Sequence, residues 1–473
     1  MALRVFNTLS RTVQEFVPLD PDGKTVGLYC CGPTVYDYAH VGNWRTFVFG
    51  DLVRRYLEFK GFSVNHVMNI TDVEDKIIKR VGESGGSLRE FTSKYESAFF
   101  EDLKTLNCKV HHANPRATDH IPEIVALIEK LVAQGIAYRS ADGSVYFSIQ
   151  KYRDTGHQYG KLVKLNFDEM RVGERVKSDE YAKESVADFA LWKARVPEDG
   201  TVFWPSPWGE GRPGWHIECS AMSMKLLGTS FDLHLGGEDL AFPHHEDEIA
   251  QSEGAGVQKG GQPFVKYWMH GAHLMVEGKK MAKSLGNFFT LRDLLGKGFS
   301  GREIRFLLLQ AHYRETFNFT LEGLQRARAS LLRIDECLGK LRELAGSASA
   351  GAGEDLQLPN GVAKALDEDL NISGAWGTLF DWVSETNRKL ASHSLDAGAA
   401  AAALAAWRNA DGVFGIGTDQ EVEVPAEITA LVEARQAARK AKDFKRSDTI
   451  RDELKAKGWV IDDTPKGPRA KRL

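Results

Sequence analysis

Residues 25–68 contain the pattern that most restricts how this chain can fold. TVGLYC at 25–30 is typical of a buried strand, and the CGPT that follows signals a turn. From His40 to Lys60 apolar side chains recur at helical spacing, and SVNHVMNIT then has strand character again. A strand, a helix and a strand at this spacing form a βαβ unit. We therefore expect a parallel sheet with a site at the carboxyl ends of its strands.

Further along the chain, the residue pattern predicts an insertion that divides this α/β domain into two halves. Residues 115–210 begin with the helix IPEIVALIEKLVAQG, continue with the hairpin-like SADGSVYFSI and end in a charged, irregular run. Strand character returns with FDLHLGG, a helix is expected from Pro243, and FVKYWMHGAHLMV is apolar again. The sequence predicts a doubly wound sheet interrupted once.

The chain becomes strongly helical after about residue 325. AGSASAGAGED is a Gly/Ala/Ser linker between helices, whereas the alanine-rich AGAAAAALAAW is expected to be a helix. VPAEITALVEARQAARKAKDFKRSDTIRDELKAKGW predicts two amphipathic helices, broken near Asp443 and stopped at Gly458. PKGPRAKRL then forms a basic tail.

Composition narrows the class of protein. A length of 473 residues suggests about three domains. The formal net charge of −4 provides no overall basic field, so any RNA contact must come from local patches. Five scattered cysteines argue against a disulfide framework and for a reducing compartment. The opening MALRVFNTLSRTVQEF lacks the apolar core of a signal peptide, and no apolar run reaches membrane-spanning length. We expect a cytoplasmic protein that does not contact a membrane.

The stretch YDYAHVGNWRTF places a histidine and a glycine where the first strand leads into the helix. His40 could donate hydrogen bonds to a phosphate oxygen, and Gly42 lets a nucleotide approach the backbone closely. An ordinary turn with a packed histidine is the alternative, and it is the better interpretation of this stretch taken alone.

Two lysines three residues apart occupy the polar loop MVEGKKMAKSLGN. Lys280 and Lys283 could neutralise the charge that builds up on a leaving pyrophosphate. A solvated surface loop is the alternative, and the phosphate interpretation gains weight only beside the histidine loop.

FPHHEDEIAQSE is either a well-charged helix start or part of a metal site. Pro243 suits a first helical turn, and acidic residues there suit the helix dipole. His244 and Glu248 are spaced i,i+4 and share one helical face, as two ligands of one ion would. His245 is expected to point elsewhere, because neighbouring helical side chains diverge by about 100°.

Two further ligands would have to come from distant cysteines. Cys219 lies in GWHIECSAM, and Cys31 follows the first strand, with Cys30 facing the opposite side of that strand. Two cysteines with a histidine and a glutamate would suit zinc. From the residues alone, the zinc site and the plain helix start are about equally favoured.

LGGEDLAFP puts Gly236, Gly237 and Asp239 after a strand. An open backbone with a carboxylate at this point can accept a ribose hydroxyl, although a plain turn is the default interpretation.

Taken together, these stretches resemble the class I aminoacyl-tRNA synthetases, and closely the cysteinyl-tRNA synthetase family. HVGN at 40–43 looks like the HIGH element of that class, and KMAKS at 280–284 looks like its KMSKS loop. The blocks that match the family in order are YCCGPTVYDYAHVGN, NITDVEDKI, PWGEGRPGWHIECSAM, FPHHEDEIAQS and KKMAKSLGNFFT. The likeness extends from FNTLSR to KAKDFKRSDTIRDEL, which is most of the chain.

The resemblance implies an α/β fold: a Rossmann-like, doubly wound parallel-sheet catalytic domain with an insertion, a helical bundle and a small C-terminal anticodon-binding domain. The implied segments are listed in chain order: catalytic first half 1–114, connective insertion 115–210, catalytic second half 211–262, stem-contact region with the KMAKS loop 263–325, helical bundle for anticodon-stem recognition 326–417, and anticodon-binding domain 418–473.

The resemblance also implies the roles of individual residues. The implied metal ligands are Cys31, Cys219, His244 and Glu248, holding one Zn²⁺ that receives the substrate's thiolate. The implied contacts to the substrate cysteine are Cys31, Thr71 and Trp215. The implied ATP-binding residues are His40, Gly42, Asn43, Gly237, Asp239 and Lys283. The implied catalytic residues are His40, Asn43, Lys280, Lys283 and Ser284.

In the implied reaction, L-cysteine and Mg²⁺-bound ATP give cysteinyl-adenylate, which then esterifies a cysteine tRNA; we expect a monomer. Asn43 replaces the second histidine of the HIGH element, and Ala282 replaces the first serine of KMSKS. Three alternatives remain open: a related ligase that joins cysteine to an amino sugar, a zinc-stabilised RNA-binding protein without catalysis, and a zinc hydrolase. The amino-sugar ligase would not need the helical and basic segments after residue 325, and the lysine loop argues against a non-catalytic protein.

Overall fold

The computed structural model describes residues 2–163, 188–349, 357–417, 425–464 and 467–472. The chain divides into two compact units, residues 1–416 and 417–473. The strands are Arg4–Asn7 (β1), Thr12–Glu15 (β2), Thr25–Cys30 (β3), Ser63–Met68 (β4), Ala137–Arg139 (β5), Val145–Phe147 (β6), Phe189–Ala194 (β7), Gly211–Pro213 (β8), Phe231–Gly237 (β9), Val265–Gly271 (β10), Leu274–Val276 (β11), Lys279–Lys280 (β12), Phe317–Phe319 (β13), Trp459–Thr464 (β14) and Gly467–Arg472 (β15). The α-helices are Val41–Phe59 (α1), Asp75–Ser84 (α2), Leu88–Thr105 (α3), Ile121–Ala133 (α4), Ile149–Asp154 (α5), Trp215–Leu227 (α6), Glu246–Gly254 (α7), Leu291–Gly296 (α8), Gly301–Leu308 (α9), Leu321–Ala345 (α10), Gln357–Leu366 (α11), Ile372–Ala391 (α12), Ala397–Phe414 (α13), Ala426–Lys440 (α14) and Phe444–Ala456 (α15).

The central sheet of the first unit is parallel and runs in the order β10-β9-β3-β4. Cys30 pairs with Met68 of β4 on one side and with Leu235 of β9 on the other. The crossover from β3 through α1 leads to β4, whereas the crossover from β9 through α7 leads to β10, in the opposite direction. The order of the strands therefore reverses between β3 and β9, where ligands bind in doubly wound sheets. The predicted βαβ unit and parallel sheet are confirmed.

Alternation along β3 sends its side chains to two different cores. Cys30 packs in the core that contains α1, and Cys31, just after the strand, packs with Cys219 of α6 and Ile249 of α7. The prediction that the two neighbouring cysteines face opposite sides of the sheet is confirmed. Helices α6 and α7 thus bring their polar side chains under the same edge of the sheet as Cys31.

The insertion begins with α4 as predicted and continues as an antiparallel sheet in the order β5-β6-β7-β8. Its apolar side chains form a core shared with α6 and α7, through Ile217 and Ala250. Most of the charged, irregular run predicted near the end of the insertion falls in 164–187, outside the described residues.

The helix expected from Pro243 begins later. Residues Ala241–His245 form one wide turn in which Phe242 is extended (φ −145°, ψ 131°), and α7 starts at Glu246. The residue before a proline is pushed out of the helical region by the proline ring, which accounts for the interruption. The predicted helix start at Pro243 is therefore wrong by three residues.

The helical region packs onto the catalytic part through the end of α13. The four last carbonyl oxygens of such a helix have no partners within the helix. Here Arg55 donates to Gly412 O (3.1 Å), and Arg305 donates to Phe414 O (2.8 Å). Both guanidiniums also bind the buried carboxylate of Asp51, at 2.7 and 2.6 Å. The predicted alanine-rich helix is confirmed as α13.

The first strand is also tied to the helical region. Arg4 N donates to Asp367 O (2.8 Å), and Asp369 N donates to Arg4 O (3.0 Å). Phe6 N donates to the Asp369 carboxylate (2.7 Å). Residues far apart in the sequence thus complete one backbone network. The Gly/Ala/Ser linker lies partly in 350–356, outside the described residues.

The second unit contains α14 and α15, and a two-stranded antiparallel sheet of β14 and β15. Asp443 caps α15 by accepting from Arg446 N (3.0 Å), so the predicted break between the two helices is confirmed. The sequence identified the last residues only as a basic tail; in the structure, Gly467–Arg472 of this tail forms a strand that pairs with β14 along its whole length. Within the described ranges, no helix is long and apolar enough to cross a membrane.

Candidate active site

The site lies at the carboxyl ends of β3 and β9, where the sheet order reverses. His40 is the residue that begins α1: its Nδ1 accepts from Asn43 N (3.2 Å), and the Asn43 side chain accepts from His40 N (3.1 Å). This reciprocal capping holds the imidazole at the positive end of a 19-residue helix. Because Nδ1 accepts, a neutral ring carries its proton on Nε2 and can donate it.

The glycines in HVGN and in LGGEDLAFP keep the backbone open. A Cβ on Gly42 would lie 3.1 Å from the His40 ring, and one on Gly237 would lie 2.4 Å from the Asp239 carboxylate. Gly236 and Gly237 are the last residues of β9 rather than residues after it, and Asp239 is exposed. The structure thus brings the predicted ribose-binding carboxylate next to a backbone that only glycine leaves uncovered.

The lysine loop lies against the start of α1. Val41 N donates to Phe289 O (2.9 Å), and Thr290 pairs with His40 in an isolated bridge. The Met281 methyl group would be 3.4 Å from a Cβ on Gly42. Lys280 ends β12 and is exposed, Lys283 begins the next turn, and Ser284 is exposed. HVGN and KMAKS, which start 240 residues apart in the sequence, therefore meet at one edge of the sheet.

Four buried side chains converge beneath this edge: Cys31, Cys219, His244 and Glu248, whose ligand atoms all lie within 4.8 Å of one another. His244 Nε2 is 3.1 Å from Glu248 Oε1, and Cys31 Sγ is 3.7 Å from the same oxygen. These are the residues that the sequence suggested as metal ligands. The structure brings all four together.

The pKa values show a cluster that balances its own charges. The hydrogen bond from Cys31 is the main cause that lowers the pKa of Cys219 to about 6. Burial would lower the pKa of His244, but the Cys219 thiolate and Glu248 raise it to about 10. Burial would raise the pKa of Glu248, but His234 and His244 lower it to about 2. Burial, with a contribution from Cys219, raises the pKa of Cys31. The His244 imidazolium thus lies between the Cys219 thiolate and the Glu248 carboxylate. A position between two anionic groups also favours a cation.

His245 does not point away from this cluster, as the sequence suggested. Its Nε2 lies 3.3 Å from Cys31 Sγ, and its other ring nitrogen contacts His270 Nε2 at 2.8 Å. Cys31, His234, His245 and Glu248 form a second group with ligand atoms within 4.8 Å of one another. Both histidines therefore reach Cys31 and Glu248, each as a member of one of the two groups that share these residues, so the expectation that His245 points elsewhere is wrong.

Sequence reasoning missed three further histidines. His234 Nε2 is 2.9 Å from Glu248 Oε2, and His216 Nδ1 is 2.8 Å from His244 Nδ1. His270 Nδ1 is 2.8 Å from the Thr8 hydroxyl. In FDLHLGG, His234 lies between two leucines of a strand that is expected to be buried. A histidine inside a buried strand needs a polar partner, and this is the signal that could have pointed to His234.

Thr71 and Trp215 differ in how they relate to the cluster. Thr71 is buried and bridges Thr34 in the loop after β3, with Val35 N donating to Thr71 O (3.1 Å). Trp215 begins α6, is 38% exposed, and its ring centroid lies 4.4 Å from that of His244. Trp215 therefore packs directly on a ligand candidate, whereas Thr71 is held against the loop that follows Cys31.

The fold and the pairing of the two motifs are those of a class I aminoacyl-tRNA synthetase catalytic domain. Residues 16–329 match the family model for the tRNA synthetases class I (C) catalytic domain. The chain is similar in fold to Mycobacterium tuberculosis methionyl-tRNA synthetase in complex with methionyl-adenylate (TM-score 0.60, 14% identity, 86% of this chain and 94% of that chain). A ternary complex of Agrobacterium radiobacter LeuRS, tRNA and LeuAMS gives a TM-score of 0.59 at 12% identity, over 86% of this chain and 87% of that one.

Sequence comparisons then identify the particular family. Residues 361–418 match the DALR domain, and residues 421–468 match the cysteinyl-tRNA ligase anticodon binding domain. The cysteine–tRNA ligase of Chlamydia muridarum is 46% identical over 492 residues, covering 100% of both chains. That of Protochlamydia amoebophila is 45% identical over 478 residues, covering 99% of this chain and 98% of its own. The chain belongs to the cysteine–tRNA ligase family, and the resemblance seen in its motifs is confirmed.

Proposed function

We propose that this enzyme activates L-cysteine with Mg²⁺-bound ATP and transfers it to the terminal adenosine of a cysteine tRNA. The observation that carries the proposal is the convergence of two cysteines, a histidine and a glutamate beneath the edge where HVGN and KMAKS meet. Acid-base chemistry is not required of these residues. Positioning and charge stabilisation account for the rate of such a transfer.

The donor set fits zinc. Two sulfurs, one imidazole and one carboxylate are ligands that a borderline-soft ion accepts together, and all four are buried. Cys31, Cys219, His244 and Glu248 would hold the ion, and the high pKa of His244 marks the positive charge that an ion would replace. When bound, zinc supplies a strong preference for a thiolate over a hydroxyl, which rejects serine.

Thr71 and Trp215 would border the substrate's amino and carboxylate end, since Trp215 packs on His244 and Thr71 bridges the loop that follows Cys31. The substrate carboxylate oxygen forms a bond to the α-phosphorus, and the bond from that phosphorus to the bridging oxygen breaks. Pyrophosphate leaves with the electron pair. In the second step a ribose hydroxyl of the tRNA attacks the carbonyl carbon, its proton passes to solvent, and AMP leaves.

The chain's own residues would position ATP. His40 Nε2 and the Asn43 amide would donate to phosphate oxygens at the start of α1. Gly42 and Gly237 would let the nucleotide approach the backbone, and Asp239 would accept from the ribose. Lys280 and Lys283 would neutralise the charge of the leaving pyrophosphate, and the Ser284 hydroxyl could donate a hydrogen bond to it. Mg²⁺ would arrive with the nucleotide.

The helical region and the second unit would bind the tRNA, in accord with the DALR and anticodon binding models that match them. The same matches favour tRNA over an amino sugar as the acceptor. A monomer and a cytoplasmic location remain predictions.

One experiment tests the proposal: cysteine-dependent ATP–pyrophosphate exchange, with the metal content measured on the same sample, followed by charging of cysteine tRNA against an amino sugar. Exchange without zinc would overturn the metal role. Exchange together with transfer to the amino sugar alone would overturn the tRNA role.

A further inference from the structure

Asn287 follows the lysine loop and is nearly buried, with 7% of its surface exposed. Its amide makes three hydrogen bonds to the backbone of that loop. Nδ2 donates to Val276 O (3.1 Å) and Lys280 O (3.2 Å), and Oδ1 accepts from Ala282 N (2.9 Å). The Asn287 side chain thus contacts both strands of the β11–β12 hairpin and Ala282, two residues beyond β12.

The hairpin itself is small and depends on such contacts. It has two residue pairs, Met275 with Lys280 and Val276 with Lys279, and its turn residues Glu277 and Gly278 both have positive φ (50° and 73°). An isolated hairpin of this size is not stable in water. β11 is paired on its other side with β13, but β12, which carries the lysines, is the edge strand of this sheet, so bonds from outside the sheet must fix its backbone.

Asn287 is also the point where the loop joins the start of α1. The next three residues contact HVGN: the Phe288 ring packs edge-on to His40 with centroids 5.2 Å apart, Phe289 O accepts from Val41 N, and Thr290 pairs with His40. The side chain of Asn287 binds the backbone of the loop. The backbone of Asn287 continues directly into residues 288–290, which contact the start of α1.

We infer that Asn287 is a positioning residue for cysteine activation: its amide holds the backbone of residues 276–282 against the start of α1, so that the loop is ordered before pyrophosphate leaves. This inference rests on the proposed function, because it assigns no contact between Asn287 and the substrate. Asn287 acts through the loop that carries Lys280 and Lys283.

The test compares Asn287→Ala and the isosteric Asn287→Asp in the full-length, metal-loaded enzyme. Aspartate keeps the acceptor for Ala282 N but replaces the two donated bonds by a carboxylate facing carbonyl oxygens. The matched control is Asn318→Ala, since the exposed Asn318 accepts from Gly278 N (2.7 Å) at the tip of the same hairpin. We expect both Asn287 variants to lose about tenfold to a hundredfold in kcat for ATP–pyrophosphate exchange, with the KM for cysteine within about twofold. Asn318→Ala should stay within about twofold in kcat.

A second readout does not depend on activity. Trypsin cleaves after lysine, and the loop offers Lys279, Lys280 and Lys283. Loss of the Asn287 bonds should speed cleavage at the loop by about tenfold, without faster cleavage elsewhere.

The inference is overturned if either Asn287 variant keeps the parent kcat or the parent cleavage rate at the loop. It is also overturned if cleavage increases over the whole chain together with a fall in Tm, which would show a general structural role. If the parent enzyme shows no cysteine-dependent exchange, the proposed function fails, and the trypsin comparison still decides whether Asn287 holds the loop.

Discussion

Asp51→Asn would remove the one negative charge between two buried guanidiniums, Arg55 and Arg305. Asp51 lies on α1, the helix that begins at His40, and its other oxygen accepts from Lys109 N (2.7 Å). Arg305 is fully buried, so the substitution leaves its guanidinium without its directly bonded carboxylate. This variant tests whether charge, rather than shape, holds the end of α13.

The pKa of Asp51 gives the magnitude. Burial alone would raise that pKa, but Arg305 and Arg55 overcome burial and hold it at about 2, against an ordinary 3.8. That depression corresponds to roughly 2–3 kcal/mol of stabilisation. Removing one partner of a buried ion pair costs roughly 3–5 kcal/mol, and asparagine keeps one acceptor oxygen, so we expect about 3 kcal/mol.

The assay is thermal unfolding of the parent and variant at one scan rate. An entropy of unfolding of about 2.1 cal/mol/K per residue, over the 416 residues of the first unit, converts about 3 kcal/mol into a fall in Tm of roughly 3–4 °C. The matched control is Asp335→Asn at the Arg302–Asp335 pair, whose side chains are 20% and 31% exposed. A partly exposed pair contributes about 1 kcal/mol or less, so its Tm should fall by about 1 °C.

The sign of the pH dependence follows from the depressed pKa of Asp51. The contribution of the carboxylate is complete above about pH 4 and is lost only as the pH falls through about 2. The Tm difference should therefore be constant from about pH 6 to 8 and narrow in acid. A difference no larger than that of the Asp335 control at neutral pH would refute the reasoning.

Three further predictions concern the site itself. Cys219→Ser should lower bound zinc well below one ion per chain and abolish cysteine activation, as measured by elemental analysis and ATP–pyrophosphate exchange. The control variant Cys337→Ser changes a cysteine of the helical core and should keep the zinc content of the parent enzyme. Full zinc in the Cys219 variant would contradict the ligand set. His245→Asn should keep its zinc, because the first ligand group excludes it; loss of zinc would instead support the second group, which contains His245. Gly237→Ala should raise the KM for ATP by about tenfold, because the added Cβ would crowd the Asp239 carboxylate where the nucleotide is expected to approach. The control variant Gly339→Ala has no atom within 4 Å of the added Cβ and should not change that KM. Equal KM values for the two variants would show that the nucleotide does not approach Gly237.

Local patterns predicted those parts of the fold that local interactions determine. The apolar spacing from His40 to Lys60 predicted α1 to within one residue at each end. Its apolar face and its cap both depend on residues that are close together in the sequence. Alternation placed Cys30 and Cys31 on opposite sides of β3 for the same reason. The resemblance supplied the grouping of distant ligand candidates, which spacing alone could not give.

What the sequence did not give depends on partners far along the chain. His245 contacts Cys31 and His270, which lie just after β3 and in β10, so its position after His244 could not predict where its ring lies. The strand Gly467–Arg472 exists because β14 pairs with it, and its basic composition carries no strand signal. His234 contacts Glu248 only once α7 is packed against β9.

The bond from Phe6 to Asp369 has a consequence for biosynthesis. These residues are 363 positions apart, so a ribosome must add several hundred amino acids after the first strand before that strand finds its acceptor. The same holds for Arg55, whose carbonyl partner Gly412 emerges later still. A nascent chain that has reached only residue 329, where the match to the catalytic family model ends, still lacks both partners. The contacts between the first strand and the helical region can thus form only after most of the first unit has been synthesised.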